Sequence, residues 1–282
     1  MRPGRPPHLR SATTLAVTVG LLASTAATTT ADARTLETSG LPETAVAIAA
    51  GPATPRVAPA VDTGLRPDLG AIARRAASTA RRTSLLVRVP RTLSAFARPR
   101  PNARKVGSVP SGSKYYGLPI VAWVERLSAN GRWGRVELPY VWPRREGWIR
   151  LDGLRRSTTT VRVEVDLSEH RVVVTRRGRV LFRTPGATGA PASPTPPGDY
   201  FVTDRVAFPG GGPLGSFAFG ISGIQPRLPA GWSGGDQLAI HGTNQPSSIG
   251  RSVSAGCVRV SEAALDRLRP LLPYGTPVVI HR

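Results

Sequence analysis

The 282-residue chain has a single cysteine, Cys257, and only two lysines, Lys105 and Lys114. One cysteine excludes a disulfide framework within the chain. It also argues against a zinc site, because the scattered histidines lack paired ligand spacing, and nothing else in the sequence asks for a metal or a cofactor. With lysine nearly absent, arginine supplies almost all of the 38 basic residues set against 17 acidic ones, for a formal net charge of +21. The arginines are spread along the chain rather than clustered. That distribution suits a GC-rich genome and a basic surface drawn to an anionic matrix such as a cell wall, and it does not suggest a nucleic-acid partner. Beyond the N-terminal region no segment approaches about 18 consecutive apolar residues, so the mature chain is not expected to span a membrane.

What is present first is an export signal. Arg2, Arg5 and Arg10 precede LAVTVGLLASTAA, residues 15–27, and Ala31-Asp32-Ala33 follows. The layout predicts a secretory signal peptide over residues 1–33 and a protein secreted to the cell wall or periplasmic space. No cysteine follows the expected cleavage site, which argues against a lipoprotein anchor. Residues 34–83 are rich in Ala, Thr, Pro and Arg and read as a flexible linker, within which AIARRAASTARR has the composition of a short basic helix.

Over residues 84–156 the text changes to short apolar runs broken by Gly, Pro and an Asn130-Gly131 turn, and it holds four of the five tryptophans: Trp123, Trp133, Trp142 and Trp148. This pattern predicts a small β-barrel or a cluster of β-hairpins, whose aromatics either fill a small core or meet a ligand. Residues 158–282 open with a β-meander around Ser168-Glu169-His170 and Arg177-Gly178, which puts His170 in a turn. A helix capped by Ser261 and a last strand, TPVVIH, with a structural His281, complete the β-rich segment. Charge and aromatics upstream with reactive residues downstream suggest separable modules.

Those reactive residues lie in IHGTNQPSSIGRSVSAGCVRV, residues 240–260. An unpaired thiol outside the cell is exposed to oxidation, so it is either buried as a small apolar residue or kept for its chemistry. A free thiol with pKa about 8.5 is a poor nucleophile at neutral pH unless a base takes its proton, and His241 is the only histidine in this stretch. A tetrahedral intermediate needs donors for its oxyanion, and the amides of Gly256 and Cys257 are the candidates. Arg259 either binds a carboxylate or makes a structural ion pair. Residues 205–237, rich in Gly and Pro, form either a mobile lid with Phe217, Phe219 and Trp232 as contacts or a folded hairpin with ordinary core aromatics.

GRWGRVELP followed by GWIRLDGL resembles a bacterial SH3-like domain, a companion that targets cell walls. TPPGDY, the His241–Cys257 stretch and the terminal TPVVI together resemble the L,D-transpeptidase (YkuD) family. That resemblance implies a mainly β fold: a β-rich catalytic domain over 158–282 with one or two helices, preceded by a small SH3-like barrel. It implies His241 as general base and Cys257 as nucleophile, with Ser254, Gly242, Arg259 and Trp232 toward the substrate. The implied reaction joins peptidoglycan stem peptides at third-position residues, or links the wall to a protein amine, through a thioester that carbapenem β-lactams would also form. The histidine that usually precedes Gly-Cys in the family is Ala255 here. A sortase-like transpeptidase is disfavoured by the missing Thr-Leu-x-Thr-Cys and the short His-to-Cys spacing, and an NlpC/P60 peptidase by its reversed order. A non-catalytic wall-binding protein with a vestigial Cys257 stays open.

Overall fold

Valine at every second position of VRVEVD and RVVVTR, with Val173 as an extra valine on the opposite face, lets Val161, Val163, Val165, Val172 and Val174 point to one face, where all are buried. In the computed structural model, which describes residues 83–282, these runs are neighbouring antiparallel strands of the downstream half. The expected signal peptide and nearly all of the expected linker lie outside the described residues.

The upstream half consists of β1 (Ser84–Arg88), β2 (Leu93–Phe96), β3 (Lys105–Val109), β4 (Val121–Val124), β5 (Arg126–Leu127), β6 (Trp133–Glu137), β7 (Glu146–Arg150) and β8 (Arg156–Thr159). They make a three-stranded sheet, β4-β1-β8, and a five-stranded one, β3-β2-β7-β6-β5. Gly131, at φ 65°, turns β5 into β6 where the sequence placed an Asn-Gly turn. Trp123 and Trp133 are buried, and Trp133 meets Phe96 edge-on at 5.8 Å, so these two aromatics fill a core; Trp142 is exposed.

The downstream half continues with β9 (Val161–Asp166), β10 (Arg171–Arg176), β11 (Arg179–Pro185), β12 (Thr188–Gly189), β13 (Gly198–Phe201), β14 (Val206–Ala207), β15 (Phe217–Ile224), β16 (Gln237–His241), β17 (Ser252–Ser254), β18 (Val258–Arg259), α1 (Glu262–Leu268) and β19 (Pro277–His281). The predicted meander is present as β9-β10-β11, with Arg177 and Gly178 both left-handed in the β10–β11 turn. The last strand lies inside that sheet, parallel to β9 and antiparallel to β13, in the order β11-β10-β9-β19-β13. A second sheet, β14-β15-β16-β18, packs its inner face on the same core, and α1 adds Ala264, Leu265 and Leu268. Each such large side chain contributes about 1.5–3 kcal/mol by leaving water.

The two halves share more than a linker. Phe201 of β13 is part of the upstream core, Arg162 of β9 lies over the Trp123 ring at 5.1 Å, and the Tyr140 amide donates to Ser222 O of β15 at 2.7 Å. Ser222 Oγ in turn donates to the buried Glu137 carboxylate. Among the described residues no helix is long and apolar enough to cross a membrane.

Candidate active site

Two short strands bring the reactive residues together. In β16, Leu238 and Ile240 point into the core, so Gln237, Ala239 and His241 face the other way. β18 lies parallel to it, with Ile240 opposite Val258 and His241 opposite Arg259. Val258 is buried with Ile240, so Cys257 and Arg259 share the face of Ala239 and His241. All four line one cavity of about 420 Å³.

His241 is 3% exposed, and its Nδ1 donates to Gly242 O at 2.5 Å. That bond fixes the tautomer and leaves Nε2 as an acceptor. Burial lowers the imidazole pKa to about 4, against the pull of the Gly242 carbonyl, and the nearby Arg259 lowers it further. His241 is therefore neutral at pH 7. Gly242 is not among the residues that line the cavity, and its carbonyl orients the imidazole. It is a glycine for a steric reason: a Cβ there, or at Gly215, would fall on the Glu262 carboxylate.

Glu262, the first residue of α1, was not singled out from sequence. Its Oε1 accepts from the Thr243 amide at 3.1 Å, and its Oε2 accepts from Ser216 Oγ at 2.7 Å and the Ser216 amide at 3.2 Å. The start of the helix thereby holds the strand end that carries His241. Ser261 caps the helix as expected, accepting from the Ala264 amide at 3.2 Å.

Cys257 is a free, half-buried cysteine whose Sγ lies 3.8 Å from Gln237 O. Desolvation raises its thiol pKa, partly offset by the Ala239 amide and the charge of Arg259. The turn before it is tightly braced. Gly256 has φ 120°, and a Cβ there would meet the Gln225 side chain. The Gly256 amide donates to Ser254 Oγ at 3.1 Å, and Ser254 Oγ donates to Cys257 O at 2.6 Å. The Gly256 amide is thus already engaged, and Ser254, which lines the cavity, has its hydroxyl committed to bracing the nucleophile turn. Thr195, from the TPPGDY stretch, links the Gly189 amide to Gly256 O with two bonds of 2.8 Å. Arg259 Nη1 donates to Gln245 Oε1 at 3.0 Å, while its buried Nε has no hydrogen-bond partner. The half-buried Ala255 also lines the cavity. His170 sits in its predicted turn, its Nε2 2.9 Å from Ser252 Oγ, and neither it nor His281 reaches the cavity.

The lid expectation divides. Phe217 and Phe219 are buried in β15, their rings 5.0 Å apart, and belong to the core rather than to a lid. Trp232 stays exposed at the cavity, with Nε1 donating to Gly235 O at 2.7 Å. Facing it are residues that sequence reading left unassigned. Lys114 Nζ donates to both Asp236 oxygens at 2.6 and 2.8 Å, and Tyr115 Oη donates to Asp236 Oδ1 at 2.7 Å. Tyr115 and Tyr116 both line the cavity, so the upstream half forms part of its wall.

Residues 160–280 match the L,D-transpeptidase catalytic domain family YkuD. The chain is 32% identical over 133 residues to the YkuD protein of Bacillus licheniformis, covering 47% of this chain and 73% of that one. Its identity to the YkuD protein of Bacillus subtilis is 30% over 125 residues, covering 44% and 68%. Among solved structures, a mutant Enterococcus faecium L,D-transpeptidase overlaps 43% of this chain with TM-score 0.34 and 23% identity. The overlap spans about half of that chain, 49%.

Proposed function

The chain belongs to the YkuD family of L,D-transpeptidase catalytic domains, and from that premise we propose that it is an exported peptidoglycan L,D-transpeptidase acting through a thioester on Cys257. The observation that carries the reading is that the only cysteine in the chain, immediately before β18, lines one cavity with a neutral, Nδ1-anchored histidine that ends the adjacent parallel strand β16. At neutral pH both partners rest uncharged, because burial lowers the imidazole pKa and raises that of the thiol. Proton transfer therefore accompanies attack instead of preceding it.

In the first half-reaction Cys257 Sγ bonds to the carbonyl carbon of the third stem residue while its proton passes to His241 Nε2. The oxyanion is met by the Cys257 amide, since the Gly256 amide is bonded to Ser254. The C–N bond then breaks, and the departing D-alanine amine takes the proton from the imidazolium. In the second half-reaction an acceptor amine attacks the thioester and gives a proton to His241, which returns it to the leaving sulfur. Arg259, with one nitrogen unpartnered, is placed to hold a stem carboxylate. Residues 84–156 serve as an SH3-like module that brings the basic chain to the wall.

Mass analysis of muropeptides after incubation with the purified protein tests the reading. A dimer joined between third-position residues is the expected product, and the strained carbonyl of a carbapenem should leave an adduct on Cys257. Tight wall binding with neither product nor adduct would return the protein to the non-catalytic class.

A further inference from the structure

Tyr115, Tyr116 and Trp232 are 50%, 50% and 46% exposed at the rim of the cavity that holds Cys257. Single exposed aromatics are ordinary, but several large rings gathered at one place mark a contact surface. The thioester chemistry does not use them. Two of the rings are held firmly. Tyr115 Oη donates to Asp236 Oδ1 and accepts from the Asp236 amide at 3.0 Å, and Trp232 Nε1 donates to Gly235 O. The Tyr115 ring lies so close to Gly235, and the Trp232 ring to Gly234, that a Cβ at these glycines would meet them at 2.9 and 2.7 Å.

Each of these two rings has its polar tip turned back into the protein, which leaves the ring face for a ligand. Ring faces attract cations or C–H groups. A cation is the poorer match: Lys114 Nζ already stands 5.5 Å from the centre of the Tyr115 ring, and the same lysine neutralises Asp236. Among C–H donors, a stem alanine offers one methyl, too little for three rings. A pyranose offers a face of axial C–H bonds about as large as one aromatic ring. We propose that Tyr115, Tyr116 and Trp232 form a sugar-stacking subsite for an N-acetylhexosamine of the glycan strand whose stem peptide enters the cavity toward Cys257. The identity of the sugar rests on the transpeptidase reading, and two of the three rings come from the upstream half of the chain.

Binding can be read apart from turnover. The full-length Cys257→Ser protein, which cannot form the thioester, is titrated by calorimetry with a tetrapeptide stem and with the same stem on its disaccharide. The disaccharide should tighten binding about tenfold and quench a fluorescence signal that is lost in Trp232→Phe, and Tyr116→Ala should remove most of the gain. Equal affinity for the two ligands, or a gain untouched by either Tyr116→Ala or Trp232→Ala, overturns the subsite. Turnover by the unsubstituted chain answers the other question. If it cross-links neither ligand while the disaccharide still binds more tightly, the transpeptidase reading falls and the sugar subsite stands. Cross-linking of both with equal KM and no affinity gain has the opposite meaning.

Discussion

The floor and the rim of the cavity are built on opposite terms. On the floor, His241, Gly256 and Ser254 are buried, the His241 Nδ1, the Gly256 amide and the Ser254 hydroxyl are each committed to a partner, and neighbouring strands fix the spacing. On the rim, rings about half exposed are held from outside the core, Trp232 by the Gly235 carbonyl and Tyr115 by an ion pair whose members, Lys114 and Asp236, are 35% and 28% exposed. Reaction geometry tolerates little displacement, so it belongs in buried, doubly bonded positions. Recognition of a large substrate needs open surface, and its groups stay in water. Substitutions on the floor should therefore cost rate, and substitutions on the rim should cost affinity.

The most severe test is Cys257→Ser. An alcohol is much harder to deprotonate than a thiol, and sulfur to oxygen is a small change in volume, so turnover should fall at least about a thousandfold with the melting temperature nearly unchanged. Muropeptide cross-linking and thermal unfolding read the two quantities. Substantial residual cross-linking would remove the cysteine from the chemistry.

His241→Ala follows, with a loss of about 10²–10⁴-fold. The pH profile separates a base from a packing residue. In the unsubstituted chain the resting His241 becomes protonated, and so is lost as a base, only below about pH 4, so the rate of Cys257 acylation should hold through mildly acidic pH and fall toward that value. The variant must wait for thiolate to form unaided, and burial has raised that thiol, so its rate should climb only in the alkaline range. A variant rate independent of pH would argue against a base.

The floor was largely legible in the sequence and the rim was not. His241 and Cys257 lie 16 positions apart in one stretch whose glycines and short apolar runs signal strand ends, and Ser261 announces its helix from its own neighbours. Glu262 bonds Ser216 across 46 positions, Thr195 bonds Gly256 across 61, and Tyr115 bonds Asp236 across 121. No periodicity records such pairs, because each side chain fits its local strand or loop equally well without the other. Phe217 and Phe219 were ambiguous for a related reason. Their strand, FAFGISGI, is buried along nearly its whole length and interrupted by Gly220 and Gly223, so it shows no alternation to set it apart from a glycine-rich loop. The central position of β19 is likewise set by pairing with β9 and β13, strands far away in sequence.

A third region, away from the cavity lining, is the joint that attaches the upstream half. Glu137 is buried against Ser222, and desolvation raises its pKa well above the ordinary value, with the Ser222 hydrogen bond pulling the other way. Desolvation likewise lifts nearby Glu125 to about 7. A raised carboxyl binds its proton more tightly folded than unfolded, so its contribution to stability is complete below the unfolded value near 4.5 and is lost as pH rises through the folded value. His241 runs the other way: its lowered pKa makes folding less favourable as pH falls from about 6.5 toward 4. Glu137→Gln mimics the protonated acid. It should match the unsubstituted protein near pH 4.5 and be the more stable of the two at pH 8, read as a higher Tm there. Parallel melting curves at both pH values would show that Glu137 carries no such burden.

The smallest expected effect distinguishes rim from floor most sharply. Asp236→Asn keeps the size of the side chain but removes the charge opposed to Lys114, and a partly exposed pair of this kind is worth about 0.2–1 kcal/mol. Global stability should barely move. Asparagine can still accept from Tyr115, so the rings should loosen rather than scatter, and KM for a glycan-borne stem should rise about two- to fivefold at unchanged kcat. Because the pair is partly solvated, salt should screen it: raising ionic strength toward 1 M should bring the unsubstituted KM toward that of the variant while the variant itself responds less. Partial burial raises the Asp236 pKa, but Lys114 and Tyr115 together outweigh that and hold it below the ordinary carboxylate value. Acid should therefore imitate the substitution only as pH falls through that lowered value, below the range in which His241 is neutral. A fall in kcat in step with the rise in KM would mean that the clip reaches the reacting atoms, and the division between a fixed floor and a compliant rim would then fail at Asp236.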